Sequence, residues 1–288
     1  WIDTIRDHGQ LLFAHLRDVS GVIQIVFDPQ VNDTCYKTAE SLRNEFTVTL
    51  TGTVLEREGG AKNPNLPTGD IEIEVSDIVI HSTANTPPFV LTEKSILDDE
   101  NMPFRVDEDL RLTYRYLDLR RPSMQHKLKM RSAIFKAIRD FFDDNGFYDI
   151  ETPVLTKSTP EGARDYLVPS RVHVNQFYAL PQSPQLFKQL LMCSGFDKYY
   201  QIVKCFRDED LRPNRQPEFT QLDMEASFID ESYIFSLLES LMEKLFAVVG
   251  KSVQGPFPHI TYHEAMDRYG SDRPDLRFGM EMVNVTDH

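Results

Sequence analysis

Cysteine, positive charge, long apolar runs and internal repeats are all scarce in this chain, and each shortage argues against a class of protein. Three cysteines, Cys35, Cys193 and Cys205, occur among 288 residues. Their odd number and wide spacing support neither a disulfide framework nor a CxxC zinc site. Three buried thiols in a reducing cytoplasm are therefore expected. No uninterrupted apolar run reaches the ~18 residues of a membrane-spanning helix. The opening residues Trp1-Ile2-Asp3-Thr4 do not read as a secretory signal. Basic residues are outnumbered, 31 Lys and Arg against 45 Asp and Glu, for a net charge of −14. That balance argues against sequence-independent nucleic-acid binding, which needs a broad basic footprint, and leaves room for a local basic patch.

What is present is the composition of a globular protein, 41% hydrophobic and 26% charged, with length enough for two domains. Residues 1–83 read as all-β. Leu11–Leu16, Val22–Phe27, Phe46–Leu55 and Ile71–Ile80 are strand-like, with a short helical insert over 30–44 and a first strand that Trp1 cuts short. Short strands with one helix suggest a small OB-type Greek-key barrel. Residues 84–112, with Pro87-Pro88, Pro103 and two acidic triplets, read as a linker or hinge. From 113 to 288 helices and strands mix, which suggests an antiparallel α+β sheet. An amphipathic helix is expected over Leu128–Phe142, closed by Asn145-Gly146. A second follows Ser183 as N-cap with Pro184 at its first position, and a third runs from Asp230 to Gly250. Thr261 reads as the cap of a short helix ending at Gly270; His259 and His263 stand four apart with no third ligand at metal spacing.

The stretch Cys205–Glu225 carries the most information. Two strand-like runs flank a charged loop with Pro213 and Pro217. Alternation puts Phe219, Gln221, Asp223 and Glu225 on one face and Thr220, Leu222, Met224 and Ala226 on the other. Arg207 and Glu209 share a face by the same rule. A solvated hairpin has no need of a Phe on its polar face; a sheet floor with a fixed Arg, a ring and acids suits a nucleotide and an amine-bearing substrate.

The string Phe206-Arg207-Asp208-Glu209-Asp210-Leu211-Arg212-Pro213, continuing through Arg215-Gln216-Pro217-Glu218-Phe219-Thr220-Gln221 to Asp223 and Glu225, resembles motif 2 of class II aminoacyl-tRNA synthetases of the bacterial aspartyl type. Gly146–Leu155 with Pro153 resembles the family's motif 1, its dimer-forming helix and strand. Thr159–Arg171 looks like the mobile loop that closes over the amino acid. The resemblance covers nearly the whole chain. It implies an OB anticodon-binding barrel hinged to part of a class II antiparallel catalytic sheet with flanking helices. It implies ATP with magnesium, L-aspartate and tRNA(Asp) as partners, and a homodimer.

Carried over residue by residue, Arg207 would be catalytic, bridging the carboxylate and the α-phosphate. Glu209, Arg215 and Phe219 would join it on ATP, with the ring stacked on adenine. Glu161, Gln185, Gln221 and Asp223 would hold the ammonium side of aspartate. Lys188 would meet its side-chain carboxylate and so reject neutral asparagine. On the barrel, Arg6, Phe13, Gln24 and Glu72 would contact the anticodon, with Phe13 as a stacking platform. His8, in the first strand-to-strand turn, is either a plain turn histidine or the form associated with charging tRNA(Asn) as well as tRNA(Asp). Nothing in the chain resembles motif 3, and the family's magnesium carboxylates are expected outside it, so a part of a longer synthetase is expected. A synthetase for asparagine or lysine, or an OB protein that only binds single strands, are the rival readings.

Overall fold

The computed structural model describes residues 1–92, 106–159, 161–210, 212, 215–283 and 285. The chain divides into two compact units, 1–129 and 130–288.

In the first unit, β1 (Ile2–His8), β2 (Leu11–Arg17), β3 (Val22–Phe27), β4 (Thr47–Glu56) and β5 (Ile71–Ser82) form one sheet in the order β1-β2-β3-β5-β4. All neighbours are antiparallel except β3 and β5. The sheet curls on itself. The amide of Ile2 donates to the Phe46 carbonyl at 2.9 Å and its carbonyl accepts from Glu45 at 2.7 Å, so the first strand meets the segment leading into β4. Such closure removes the exposed edges that would invite association. Period-two alternation fills the inside with Leu12, Ala14, Ile25, Phe27 and Val75. The insert forms α1 (Asp33–Ala39), opened by Asn32, whose side chain accepts from the Cys35 amide. It covers the core with Cys35, Ala39 and nearby Leu42. The register of β4 on β5 slips at Thr51/Gly52. A Cβ on Gly52 would lie 2.4 Å from the Glu74 carbonyl oxygen, so only glycine fits there.

Part of the stretch expected as linker lies outside the described residues. In the rest, Phe89 and Leu91 are buried against Leu117, with Val106, Leu110 and Tyr114 around them. Two short helices, α2 (Glu108–Thr113) and α3 (Arg115–Asp118), carry that small core.

The second unit contains most of α4 (Pro122–Asp144), then β6 (Tyr148–Asp149), β7 (Leu167–Pro169), β8 (Phe177–Ala179), α5 (Gln185–Cys193), β9 (Lys198–Phe206), β10 (Glu218–Ala226), α6 (Glu231–Val248) and α7 (Tyr262–Tyr269). β10 and β9 pair antiparallel, and β6 adds a short parallel edge to β9. The helix α4 begins before the expected Leu128. Pro122 supplies the pre-set φ of a first helical turn, a signal that hydrophobic periodicity does not carry. Its end is as read: Gly146 takes φ +76° and the Phe147 amide returns to the Phe142 carbonyl at 3.0 Å.

Two local expectations fail. The Ser183 hydroxyl does not cap α5; Pro184 holds the cap position without a side-chain hydrogen bond, and Ser183 turns to Glu161 instead. Cys35 and Cys205 are buried thiols, but Cys193 is exposed, because α5 presents its last turn to solvent.

Between α4, α6 and the sheet lies a core of Ile138, Phe141, Phe142, Phe147, Tyr200, Leu237 and Leu241. Phe142 is fully buried, stacked on Tyr200 at 4.8 Å and edge-on to Phe147 at 5.0 Å. Phe142→Ala is expected to destabilise the chain by about 3–5 kcal/mol. Denaturant unfolding measures this, and a loss below about 1 kcal/mol would contradict the packing described.

Candidate active site

The β9–β10 register places the predicted face. Phe219 lies opposite Cys205, Gln221 opposite Val203, Asp223 opposite Gln201 and Glu225 opposite Tyr199. The alternate set, Leu222, Met224 and Ala226, packs into the core just described. One face of the hairpin is thus consumed by folding, and the polar one is left over.

At one end of this face Arg207, Glu209, Asp210, Arg215, Gln216, Pro217 and Phe219 line a cleft of about 290 Å³. All four residues expected on ATP are among them. The Arg207 guanidinium lies 5.1 Å from the Phe219 ring centroid, and its Nε is buried with no hydrogen-bond partner among the described residues. The Arg207 amide donates to the Pro217 carbonyl at 2.9 Å, which closes the base of the loop. Arg215 reaches Glu209 at 3.6 Å, both partly exposed.

Further along, Lys188 of α5 bonds Asp223 at 2.8 Å and lies 3.4 Å from Glu225. The pair is largely shielded from water, the side chains of Lys188 and Asp223 being 12% and 10% exposed. Burial pushes the Asp223 carboxyl above its usual range, and the Lys188 ammonium pulls against that shift. The second Asp223 oxygen, Oδ2, is buried without a hydrogen-bond partner among the described residues. Gln185, three residues before Lys188, is exposed at the start of α5. Gln221 accepts from the Cys205 thiol at 3.3 Å. That thiol is pushed up to about 11 by burial and then by Asp223, with Glu161 adding to the rise and Arg207 and Lys188 opposing it. Arg207, Lys188, Asp223 and Glu161 are thus all near enough to act electrostatically on that thiol. Glu161 is held there by the Ser183 hydroxyl, at 3.3 Å.

On the barrel, Arg6 faces Phe13 across β1 and β2, and Gln24 faces Glu72 across β3 and β5. Gln24 Nε2 donates to Glu72 at 2.7 Å. His8, the last residue of β1, sits edge-on to Phe13 with centroids 5.8 Å apart. Ile23 and Ile25 turn into the core, so Gln24 faces outward as expected. Pairing therefore joins the five barrel residues into one strip of outer face.

Three contributors were not legible beforehand. Arg57 is buried, with Nε and Nη1 lacking hydrogen-bond partners among the described residues, and lies 3.6 Å from Glu72. Gln182 and Asp165 brace the loop that carries Glu161. Burial pushes the Asp165 carboxyl up, but hydrogen bonds from Gln182, Ser158 and the Thr159 amide outweigh it and hold the group below its ordinary range. Such residues show no pattern in sequence, because their partners come from other segments. His259 bonds Glu239 at 3.1 Å, and among the described residues no group of three or more His, Cys, Asp or Glu could hold a metal.

A curled five-stranded barrel followed by a hairpin floor with Arg over Phe is the architecture of a class II synthetase joined to an OB domain. Family comparison agrees: residues 1–80 match the OB-fold nucleic acid binding domain, and residues 107–288 match the tRNA synthetases class II (D, K and N). The chain belongs to this class II family. Among curated relatives, the Aspartate–tRNA(Asp/Asn) ligase 1 of Syntrophus aciditrophicus is 56% identical over 99% of this chain and 40% of its own length. The Aspartate–tRNA ligase of Staphylococcus epidermidis is 56% identical over 99% of this chain and 47% of its own. The chain thus spans about half the length of the curated relatives it matches. Among solved structures, asparaginyl-tRNA synthetase from Pyrococcus horikoshii, complexed with asparaginyl-adenylate, shares the fold. It has a TM-score of 0.70 at 24% identity, over 86% of this chain and 53% of that one. A chain from Leishmania major Friedlin gives 0.74 at 25%, over 86% and 48%.

Proposed function

We propose that the protein carrying this chain is an aspartate–tRNA ligase. The α-carboxylate of L-aspartate attacks the α-phosphate of ATP, the bond to the β-phosphate breaks, and aspartyl-adenylate and pyrophosphate form. The aspartyl group then passes to the 3′ end of tRNA(Asp). One observation carries this reading: the buried Nε of Arg207, without a partner among the described residues, beside the Phe219 ring at the cleft. A buried donor without a protein acceptor, open to a cleft, suits an anionic ligand. Arg207 would bridge the carboxylate and the α-phosphate, where charge grows in the transition state. Phe219 would stack on adenine, with Glu209 and Arg215 on the nucleotide. Asp223 Oδ2, buried without a hydrogen-bond partner among the described residues, would accept from the ammonium, with Gln221, Gln185 and Glu161 beside it. Lys188 would take the side-chain carboxylate, leaving itself unpaired with asparagine.

In this reading residues 1–83 bind the anticodon through Arg6, His8, Phe13, Gln24 and Glu72. Residues 84–112 are the hinge and 113–288 the part of the catalytic domain bearing motifs 1 and 2. The 146–155 segment would form a homodimer, and the protein would work in the cytoplasm. Magnesium would accompany ATP; the described residues offer no carboxylate cluster for it, so every role above rests on the chain's own side chains. His8 stands edge-on to Phe13, the proposed stacking ring, where it is either a plain turn histidine or the form that goes with tRNA(Asn) as a second acceptor. Charging each tRNA separately tests this.

Amino-acid-dependent ATP–pyrophosphate exchange tests the main reading. Exchange is expected with aspartate and not with asparagine or lysine; the reverse pattern would overturn it.

A further inference from the structure

Gln182 lies in the turn before α5, only 3% exposed. Its side chain satisfies both backbone groups of Ala163. Oε1 accepts from the Ala163 amide at 3.0 Å, and Nε2 donates to the Ala163 carbonyl at 2.8 Å. Nε2 also donates to Asp165 Oδ1 at 2.5 Å. The other Asp165 oxygen accepts from the Ser158 hydroxyl at 2.6 Å and the Thr159 amide at 3.3 Å.

Three segments meet at this amide. The turn itself is tied to the end of β9, because the Phe206 amide donates to the Pro181 carbonyl at 2.9 Å. The Arg164 carbonyl accepts from the Asp208 amide at 3.0 Å, which fixes the braced segment to the start of the Arg207 loop. The next residue, Ser183, donates to Glu161. Gln182 thus belongs by its backbone to the element carrying Lys188, and by its side chain to the element carrying Glu161.

We propose that Gln182 is a positioning residue for amino-acid binding: its amide sets the 161–165 segment so that Glu161 is presented toward the substrate ammonium beside Lys188 and Asp223. This rests on the function proposed above. The geometry needs a side chain that accepts at one end and donates twice at the other. Glutamate has the same shape but cannot donate, and its charge would face Asp165. The groups this amide sets, Glu161 and the turn before Lys188, belong to the amino-acid side of the proposed site, so the effect is expected to fall mainly on the amino acid.

The test uses the protein carrying this chain, with ATP–pyrophosphate exchange measured for Gln182→Glu, Asp165→Asn and the double variant. Gln182→Glu is expected to raise KM for aspartate roughly tenfold or more, as losing hydrogen bonds of this kind does, with KM for ATP nearly unchanged. The double variant is expected to recover part of the loss, the 182–165 contact, while the bond to the Ala163 carbonyl stays lost. The amide introduced at position 165 can donate to the carboxylate introduced at position 182, while its oxygen keeps the bonds from Ser158 and Thr159. Equal effects on both substrates, or a double variant no better than Gln182→Glu, would overturn the proposal. Hydrogen exchange supplies a readout independent of activity. The Ala163 amide should be protected in the wild-type chain and lose protection in Gln182→Ala, and unchanged protection would overturn the brace. Wild-type protein without aspartate-dependent exchange would instead refute the proposed function, leaving the brace to be judged by hydrogen exchange alone.

Discussion

Arg207→Ala is expected to slow aspartate-dependent ATP–pyrophosphate exchange by about 10²-fold or more, the loss that follows removal of a preorganised transition-state donor. Two features make the effect large. The guanidinium is held in place before substrate arrives, by the Phe219 ring beneath it and by the loop closure at Pro217. Its Nε is already desolvated without a partner among the described residues, so the cost of burying it is met in folding and its hydrogen bond is realised only with an anion present. Arg207→Lys should rescue little, because an ammonium is a point charge and lacks the planar fork that spans two oxygens. Exchange kinetics within about threefold of wild type in the alanine variant would remove Arg207 from the proposed mechanism.

Lys188→Gln is expected to raise KM for aspartate by roughly 10²-fold, the scale of a lost hydrogen bond to a charged group in a shielded site. It should also make stability depend more steeply on pH. Burial already pushes the Asp223 carboxyl up, and Lys188 is the nearest group opposing that rise. Without the ammonium the carboxyl should rise further. A carboxyl raised in the folded state contributes stability that is fully present below its unfolded pKa and is lost as pH rises through the folded pKa. Relative to wild type, the variant should therefore lose more melting temperature near neutral pH than at roughly pH 4. Glu225, 3.4 Å from Lys188, adds a second carboxylate left without its cation. An equal deficit at both pH values would show that the Lys188–Asp223 pair is not electrostatically coupled as described.

Much of the site is local and therefore visible in one dimension. The alternation from Phe219 to Ala226 is a property of extended backbone, and it assigns each side chain to a face before the partner strand is known. The caps of α6 and α7 behave the same way. Asp230 accepts from the Tyr233 amide, Thr261 accepts from the Glu264 amide, and Gly270 takes φ +66° at the end. Ser183 departs from that rule: Pro184 takes the cap position, one residue further on, and the Ser183 hydroxyl donates to the distant Glu161. Cys193 misled for a similar reason: composition speaks for burial of thiols on average, while exposure depends on which side of α5 meets the sheet.

By itself the sequence determined what nearest neighbours decide: the polar and apolar faces of the hairpin, most helix ends, and the residue types that the floor carries. Only the tertiary structure decided which residues from separate segments meet within each unit. Lys188 meets Asp223 across 35 positions, Gln182 clamps Ala163 across 19, and Gln24 reaches Glu72 across 48. Those meetings depend on loop closure and on burial of the opposite faces in a common core. Both are collective effects, and no short window of residues carries either.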